Sequence, residues 1–141
     1  MTKYDFFGFR VEIDEAATRD WYAQADEWDC DCGDCRNFLK LAHARALPAP
    51  VLELLDGLGI PPEKSTDVCE YGPQEGGRLY EFGYRIAGNI LSGDQTASTP
   101  QDWGSALCFH DPYPGAPGFP EPHFDLDFWV TLPWALDEPR K

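Results

Sequence analysis

Three cysteines stand close together in the segment WDCDCGDCRNF, residues 28 to 38. Cys30, Cys32 and Cys35 form a C-x-C-x-x-C arrangement, and the spacing of the last two lets two thiolates bind one tetrahedral ion. Gly33 permits the tight turn between them. Zinc in a closed structural site has four ligands, so one more residue must come from elsewhere. The segment therefore predicts a zinc site with a fourth ligand from another part of the chain.

Three residues are candidates for that fourth ligand. If a helix begins directly after Cys35, His43 lies ~12 Å further along its axis, while zinc bonds are only ~2.0 to 2.3 Å long. Cys108 alternates with an apolar residue and is expected to point into the core. Cys69, in DVCEYG, is preferred because tertiary packing can bring a strand to the start of a helix. The predicted ligands are Cys30, Cys32, Cys35 and Cys69.

The same segment admits a redox interpretation, in which Cys32 and Cys35 form a thiol-disulfide pair. A helix N-terminus and the adjacent Arg36 would lower the pKa of such a thiol. The three aspartates of the segment disfavour a thiolate and favour a bound cation. The strand-helix order of a thioredoxin-like unit is also missing. We therefore rank a structural metal first, unligated cysteines second and thiol redox chemistry third.

A second set of polar residues lies near the C-terminus. His123, Asp125 and Asp127 share one face of a predicted strand, and His110 with Asp111 could approach from a neighbouring one. Imidazole and carboxylate groups can bind a divalent cation or act as a general acid-base pair. Any half-exposed strand shows such polar alternation, so a solvent-facing strip is the favoured interpretation.

The chain of 141 residues carries a formal net charge of -14, from 25 acidic against 11 Lys and Arg residues. This charge disfavours binding to nucleic acid or to an anionic membrane, because phosphates would be repelled. It favours a cation or a basic protein partner, including the target of an inhibitor or immunity-type protein. A role in solubility alone is the commonest use of such charge.

The N-terminal segment MTKYDFFGFRVEI lacks the continuous apolar core of a signal peptide, and no stretch approaches the ~18 apolar residues of a membrane span. The five cysteines are odd in number and mostly clustered, which argues against a disulfide framework. The expected location is the cytoplasm, and the oligomeric state is left open.

The pattern of apolar residues predicts a single α+β domain over residues 1–141. Alternation predicts strands over residues 4–13, 79–91 and 123–132, and shorter strands are predicted over 68–71 and 105–110. A further strand is predicted over 19–29, because the segment WYAQADEW has aromatic residues at both ends. Helical spacing, with Pro48 and Gly57 or Gly59 as end signals, predicts helices over 36–47 and 49–59. The predicted fold is one mainly antiparallel sheet of four to six strands, with two helices packed on one face.

The order of these motifs resembles a family of small uncharacterised bacterial proteins. The resemblance rests on Cys30-x-Cys32-x-x-Cys35-x-Asn37-Phe38, then a helical pair, LGIPPEK at 58–64, a Tyr84-x-x-x-Gly88 strand and LPWAL at 132–136. The resemblance implies a bacterial, cytoplasmic, single-domain protein, and it implies no particular activity. The leading hypothesis is therefore a non-enzymatic interaction module with a structural zinc ion.

Overall fold

The computed structural model describes residues 1–92, 98–110 and 116–140, and in them one antiparallel sheet of seven strands lies beside three helices. The strands are β1 (Thr2–Phe6), β2 (Phe9–Ile13), β3 (Asp67–Gln74), β4 (Gly77–Ser92), β5 (Ser98–Gln101), β6 (Gly104–Phe109) and β7 (His123–Leu132). The helices are α1 (Glu15–Gln24), α2 (Gly33–His43) and α3 (Ala49–Leu58), followed by a 3₁₀ turn, Pro62–Lys64. The predicted α+β class is confirmed, while both predicted element counts are too low.

The long strand β4 is the centre of the sheet. The strand order is β1-β2-β4-β7-β6-β5, and β3 also pairs with β4. The pairing of β4 with β7 runs without interruption from Arg78 opposite Leu132 to Ala87 opposite His123. Because directly opposed residues point to the same side of a sheet, this register fixes which side chains of the two strands share a face.

One face of β4 packs against the helices, and we call it the helix face. Tyr80, Phe82, Tyr84 and Ile86 lie on it and are each 0% exposed, as their alternation predicted. The ring of Phe38, from α2, lies 5.1 Å from that of Phe82. The buried apolar residues form one core cluster. The alternate residues of β4, which include Glu81 and Arg85, lie on the opposite face of the sheet.

The first predicted strand is in fact a hairpin. Phe7 and Gly8 have φ angles of 51° and 85°, in the left-handed region that a tight two-residue turn requires. The turn reverses the chain between β1 and β2, which pair antiparallel. Alternation alone cannot detect this break, because both arms keep the strand period.

The strand predicted over residues 19–29 is wrong, because most of that region belongs to α1. Asp14 caps this helix, with its carboxylate accepting from the Ala17 backbone N–H at 3.0 Å. Thr18 and Tyr22, four residues apart, are its buried positions. The helical spacing of these two residues decides the structure, not the aromatic residues at both ends of the segment.

The other two helices were predicted, but α2 runs from Gly33 to His43, so both of its ends differ from the predicted range of 36–47. Helix α3 ends in the left-handed Gly59, whose φ is 72°. Strand β5 was not predicted, since it lies in a turn-rich segment and contains Pro100. It pairs only with β6, at the edge of the sheet, where proline is tolerated. Within the described residues, no helix is long and apolar enough to span a membrane.

Candidate metal centre

The sulfur atoms of Cys30, Cys32 and Cys35 lie within 4.8 Å of one another. The Sγ atoms of Cys30 and Cys32 are 3.3 Å apart, which is well beyond the ~2.05 Å of a disulfide bond. Two thiolates on one tetrahedral zinc ion would be about 3.8 Å apart, from bonds of about 2.3 Å. The three cysteines are therefore close enough to bind one metal ion after small adjustments.

The start of α2 places two of these sulfur atoms. Cys32 is the N-cap residue, and its Sγ accepts a hydrogen bond from the Cys35 backbone N–H at 3.4 Å. Cys35 lies in the first turn and is only 7% exposed. The indole Nε1 of Trp28 donates to its Sγ at 3.2 Å, and the Trp28 backbone N–H donates to the carbonyl of Glu63 at 2.9 Å. The sulfur atoms are thus held by donors that would also stabilise thiolates.

The first turn of α2 is also fixed to β4 and to the C-terminal segment, residues 133–140. The Tyr80 hydroxyl donates to the carbonyl of Asp34 at 2.8 Å. The buried side chain of Asn37 donates to the carbonyl of Pro133 at 3.1 Å and accepts from the Ala135 backbone N–H at 2.6 Å. A buried amide with both groups paired specifies one arrangement of these segments.

Two ion pairs reinforce this contact at the surface. Arg140 forms a bidentate pair with Asp34, at 2.8 and 3.1 Å, and Arg36 pairs with Glu138. Together with Cys32, these residues line a pocket of about 240 Å³. Because exposed ion pairs contribute only about 0 to 1 kcal/mol each, they position the C-terminal segment more than they stabilise it.

The thiols differ in their acidity. Burial raises the pKa of Cys35, so this thiol is protonated at neutral pH in the absence of a cation. The pKa of Cys30 is lowered, mainly by the backbone N–H of Cys32, and Asp31 has only a smaller, opposing effect. The aspartates of the segment were expected to disfavour a thiolate. At Cys30 this expectation is wrong, because the pKa of the thiol is lowered in spite of Asp31.

Cys69 does not join this cluster. It is directly opposite Glu81 in the pairing of β3 with β4, so its side chain lies on the face of the sheet that points away from α2. Its Sγ belongs to a separate group with the carboxylates of Asp67 and Glu81. The predicted set of four ligands is thus divided between the two faces of the sheet.

The two candidates that were set aside also lie elsewhere. His43 is at the far end of α2, where its Nε2 lies 3.0 Å from Glu27. Cys108 is 0% exposed, and burial raises its pKa to about 12, which confirms its predicted place in the core. In the described ranges, no fourth His, Cys, Asp or Glu has a ligand atom within 4.8 Å of all three sulfur atoms.

The set near the C-terminus is not the solvent-facing strip that was favoured. Asp125 and Asp127 are 6% and 9% exposed, and Asp125 forms a buried bidentate pair with Arg85 at 3.1 and 3.1 Å. His110 Nδ1 lies 3.0 Å from the carbonyl of His123. Asp111, which was part of the predicted set, lies outside the described residues. Among the others, the structure forms an ion pair and not a metal cluster.

Four residues at the two groups of potential ligands were not predicted as site residues. Asp67 and Glu81 belong to the second group, and Asn37 and Tyr80 hold the first turn of α2. One available signal was the pair of charged residues, Glu81 and Arg85, inside a long strand that is otherwise rich in apolar residues. A charged residue at such a position is buried only when it has a partner or a function.

No known protein family, curated protein or solved structure matches the chain. The resemblance to a family of small bacterial proteins therefore stays a prediction.

Proposed function

We propose that this protein is an acidic, non-enzymatic domain that binds a structural zinc ion through Cys30, Cys32 and Cys35 and serves as an interaction module. The observation that carries the proposal is the approach of the three sulfur atoms to within 4.8 Å of one another at the start of α2. The ion would fix the helix turn that holds both β4 and the C-terminal segment.

The donor set favours zinc over other common cations. Three thiolates are soft ligands, which suit zinc, whereas calcium and magnesium require oxygen atoms. The indole of Trp28, which donates to Cys35 Sγ, would support the ligand sphere from outside. Among the described residues three protein ligands converge here, which leaves the fourth position of a tetrahedral ion to a further ligand, such as water or a group from another molecule.

The interaction role is supported by the net charge of -14. A basic protein is the partner whose electrostatic attraction to this chain is strongest, and the inhibitor or immunity-type alternative uses the same attraction. Raising the salt concentration should weaken binding to any such partner, since exposed charges are screened within ~8 Å at physiological ionic strength. Binding that does not change with salt would exclude this mechanism.

The proposed location is the cytoplasm. All five cysteines are free thiols in the structure, and such thiols persist in a reducing compartment.

Metal analysis tests the zinc. Full-length protein without a polyhistidine tag should carry zinc, and Cys32→Ser should remove about one zinc per chain because structural zinc is tightly held. Cys108→Ala is the matched control, since Cys108 is a buried cysteine outside the cluster, and it should retain all the zinc. Less than ~0.2 zinc per chain in the wild type, unchanged by Cys32→Ser, would contradict the proposal.

A thiol oxidoreductase is the second candidate, and one observation favours it. The pKa of Cys30 is lowered and its Sγ lies 3.3 Å from that of Cys32, whereas the first prediction paired Cys32 with Cys35. In such a reaction two thiols become one disulfide and the disulfide of a protein substrate is reduced to two thiols, so the electrons balance. Rapid alkylation of Cys30 near neutral pH in metal-free protein would support it, and a slow ordinary rate would exclude it.

A further inference from the structure

A second group of potential ligands lies on the face of the sheet opposite α2. The strand register places residues from β3, β4 and β7 in two neighbouring rows on this face. The first row is Asp67, Gly83 and Asp127, and the second is Cys69, Glu81 and Trp129. Three adjacent strands therefore bring one thiol and three carboxylates to one place.

Three of these side chains converge closely. The thiol of Cys69 and the carboxylates of Asp67 and Glu81 each offer a ligand atom within 4.8 Å of the others. Cys69 Sγ lies 3.9 Å from Asp67 Oδ1, compared with the about 3.6 Å expected for a sulfur and an oxygen on one tetrahedral zinc ion. A shift of a few tenths of an ångström would bring these two atoms to the expected separation.

The burial of Glu81 is a second observation that points to a ligand at this place. Glu81 is 4% exposed, and its Oε2 atom is buried without a hydrogen-bond partner among the described residues. A buried carboxylate oxygen without a donor or a cation is costly. A bound cation would remove this penalty.

Gly83 makes room for the acidic group. A Cβ atom at this position would lie 1.9 Å from Asp127 Oδ1, so the carboxylate of Asp127 takes up the space that any side chain would fill. Asp127 contributes negative charge beside Glu81. The absence of a side chain at Gly83 thus allows the negative charge to concentrate here.

We propose that Asp67, Cys69 and Glu81 form a second zinc site, separate from the three-cysteine cluster and on the other face of the sheet. One thiolate with two carboxylates favours zinc over calcium and magnesium, which do not use sulfur ligands. Asp67 is exposed and Cys69 partly so, which leaves the ion accessible to solvent. Three protein ligands and one open position are the arrangement of zinc sites that bind water or a small anionic or thiol ligand.

Zinc titration of the full chain tests this site. Protein is stripped with a chelator under reducing conditions and titrated with zinc against a chromophoric competitor. Wild type should bind two zinc ions, whereas Glu81→Gln should bind one, with an affinity loss of about 100-fold or more at the altered site. Glu70→Gln is the matched control, because Glu70 is on β3, is 11% exposed in its side chain and pairs with Arg78; it should bind two.

The same titration separates this site from the three-cysteine site. Cys32→Ser should lose one zinc ion and keep the one that Glu81→Gln removes. If the three-cysteine site were absent, wild type would bind one ion, which Glu81→Gln would abolish and Cys32→Ser would retain. Equal zinc binding by wild type and Glu81→Gln would overturn the proposal and would indicate that Glu81 is simply protonated. Should Glu81→Gln fail to fold, Cys69→Ser at the partly exposed ligand serves in its place.

Discussion

The hydroxyl of Tyr80 donates to the backbone carbonyl of Asp34 at 2.8 Å, and this bond joins the centre of the sheet to the helix turn that carries Cys35. Tyr80 is 0% exposed, and its hydroxyl also accepts a hydrogen bond from Asn37 Nδ2 at 3.3 Å. The candidate metal centre is therefore attached to the central strand of the sheet.

Removal of this hydroxyl should affect both stability and metal binding. Tyr80→Phe should lower the free energy of unfolding by about 1 kcal/mol, measured by urea denaturation. It should also weaken zinc binding at the cysteines about 10-fold, as the loss of an outer-shell contact does. Tyr84→Phe is the matched control, since its buried hydroxyl donates to Pro62 at 2.7 Å, away from the cysteines. Tyr84→Phe should lose similar stability while its zinc affinity stays unchanged. Equal zinc affinities for the two variants would show that the Tyr80 hydroxyl does not support zinc binding at the cysteines.

Wild type and Tyr80→Phe should also differ in how their stability responds to alkaline pH. Burial raises the pKa of Tyr80 to about 12 from its ordinary value of 10.0, so between these values the folded chain keeps a proton that the unfolded chain has lost. The contribution of the Tyr80 phenol to the free energy of unfolding is therefore fully present below pH 10 and is lost as the pH rises towards 12. The slope is at most about 1.4 kcal/mol per pH unit. The stability advantage of wild type over Tyr80→Phe should therefore shrink between about pH 10 and about pH 12; a constant difference would contradict the assigned pKa.

Two glycines should respond to alanine in opposite directions. Gly83→Ala places a Cβ 1.9 Å from Asp127 Oδ1, and we expect a loss of about 1 to 3 kcal/mol from overpacking. Gly57 lies within α3 with no atom within 4 Å of a Cβ, so Gly57→Ala should stabilise the protein by about 0.5 to 1 kcal/mol. Thermal or urea unfolding measures both. A neutral Gly83→Ala variant would show that the Asp127 carboxylate is not confined as described.

The buried ion pair on the opposite face should matter far more than a surface pair. The side chains of Arg85 and Asp125 are 4% and 9% exposed, so Asp125→Ala should cost about 3 to 5 kcal/mol by removing a carboxylate from a buried guanidinium. Asp5 pairs with Arg10 at 2.9 Å, but both side chains are more than half exposed. Asp5→Ala should therefore change the free energy of unfolding by no more than about 1 kcal/mol. Similar losses for the two variants would be inconsistent with this placement.

The parts of the fold that were predictable are those where one residue period decides the structure. The helix face of β4, with Tyr80, Phe82 and Tyr84, follows from strict alternation, and α3 follows from its apolar stripe and Gly59. The hairpin turn at Phe7 was not predictable, because a non-glycine residue with positive φ leaves the alternation unchanged.

The candidate site was half predictable for a related reason. Neighbouring cysteines in one short segment must lie close together, so the cluster of three follows from spacing alone. Whether Cys69 points towards α2 depends on which face of β3 packs inward, and this is fixed by the pairing of β3 with β4. The acidic group around Glu81 likewise could not be predicted, because Asp67 and Asp127 come from the two flanking strands and only the strand pairing brings them together.

Zinc K-edge X-ray absorption tests the central claim most directly, because it counts the atoms bound to the ion. The measurement uses Cys69→Ser protein loaded with one equivalent of zinc, so that the site with Glu81 does not contribute sulfur. Binding by Cys30, Cys32 and Cys35 predicts three sulfur atoms at about 2.3 Å and one oxygen or nitrogen atom at about 2.0 Å. A shell that contains only oxygen and nitrogen, or a single sulfur atom, would contradict a zinc site built from the three cysteines.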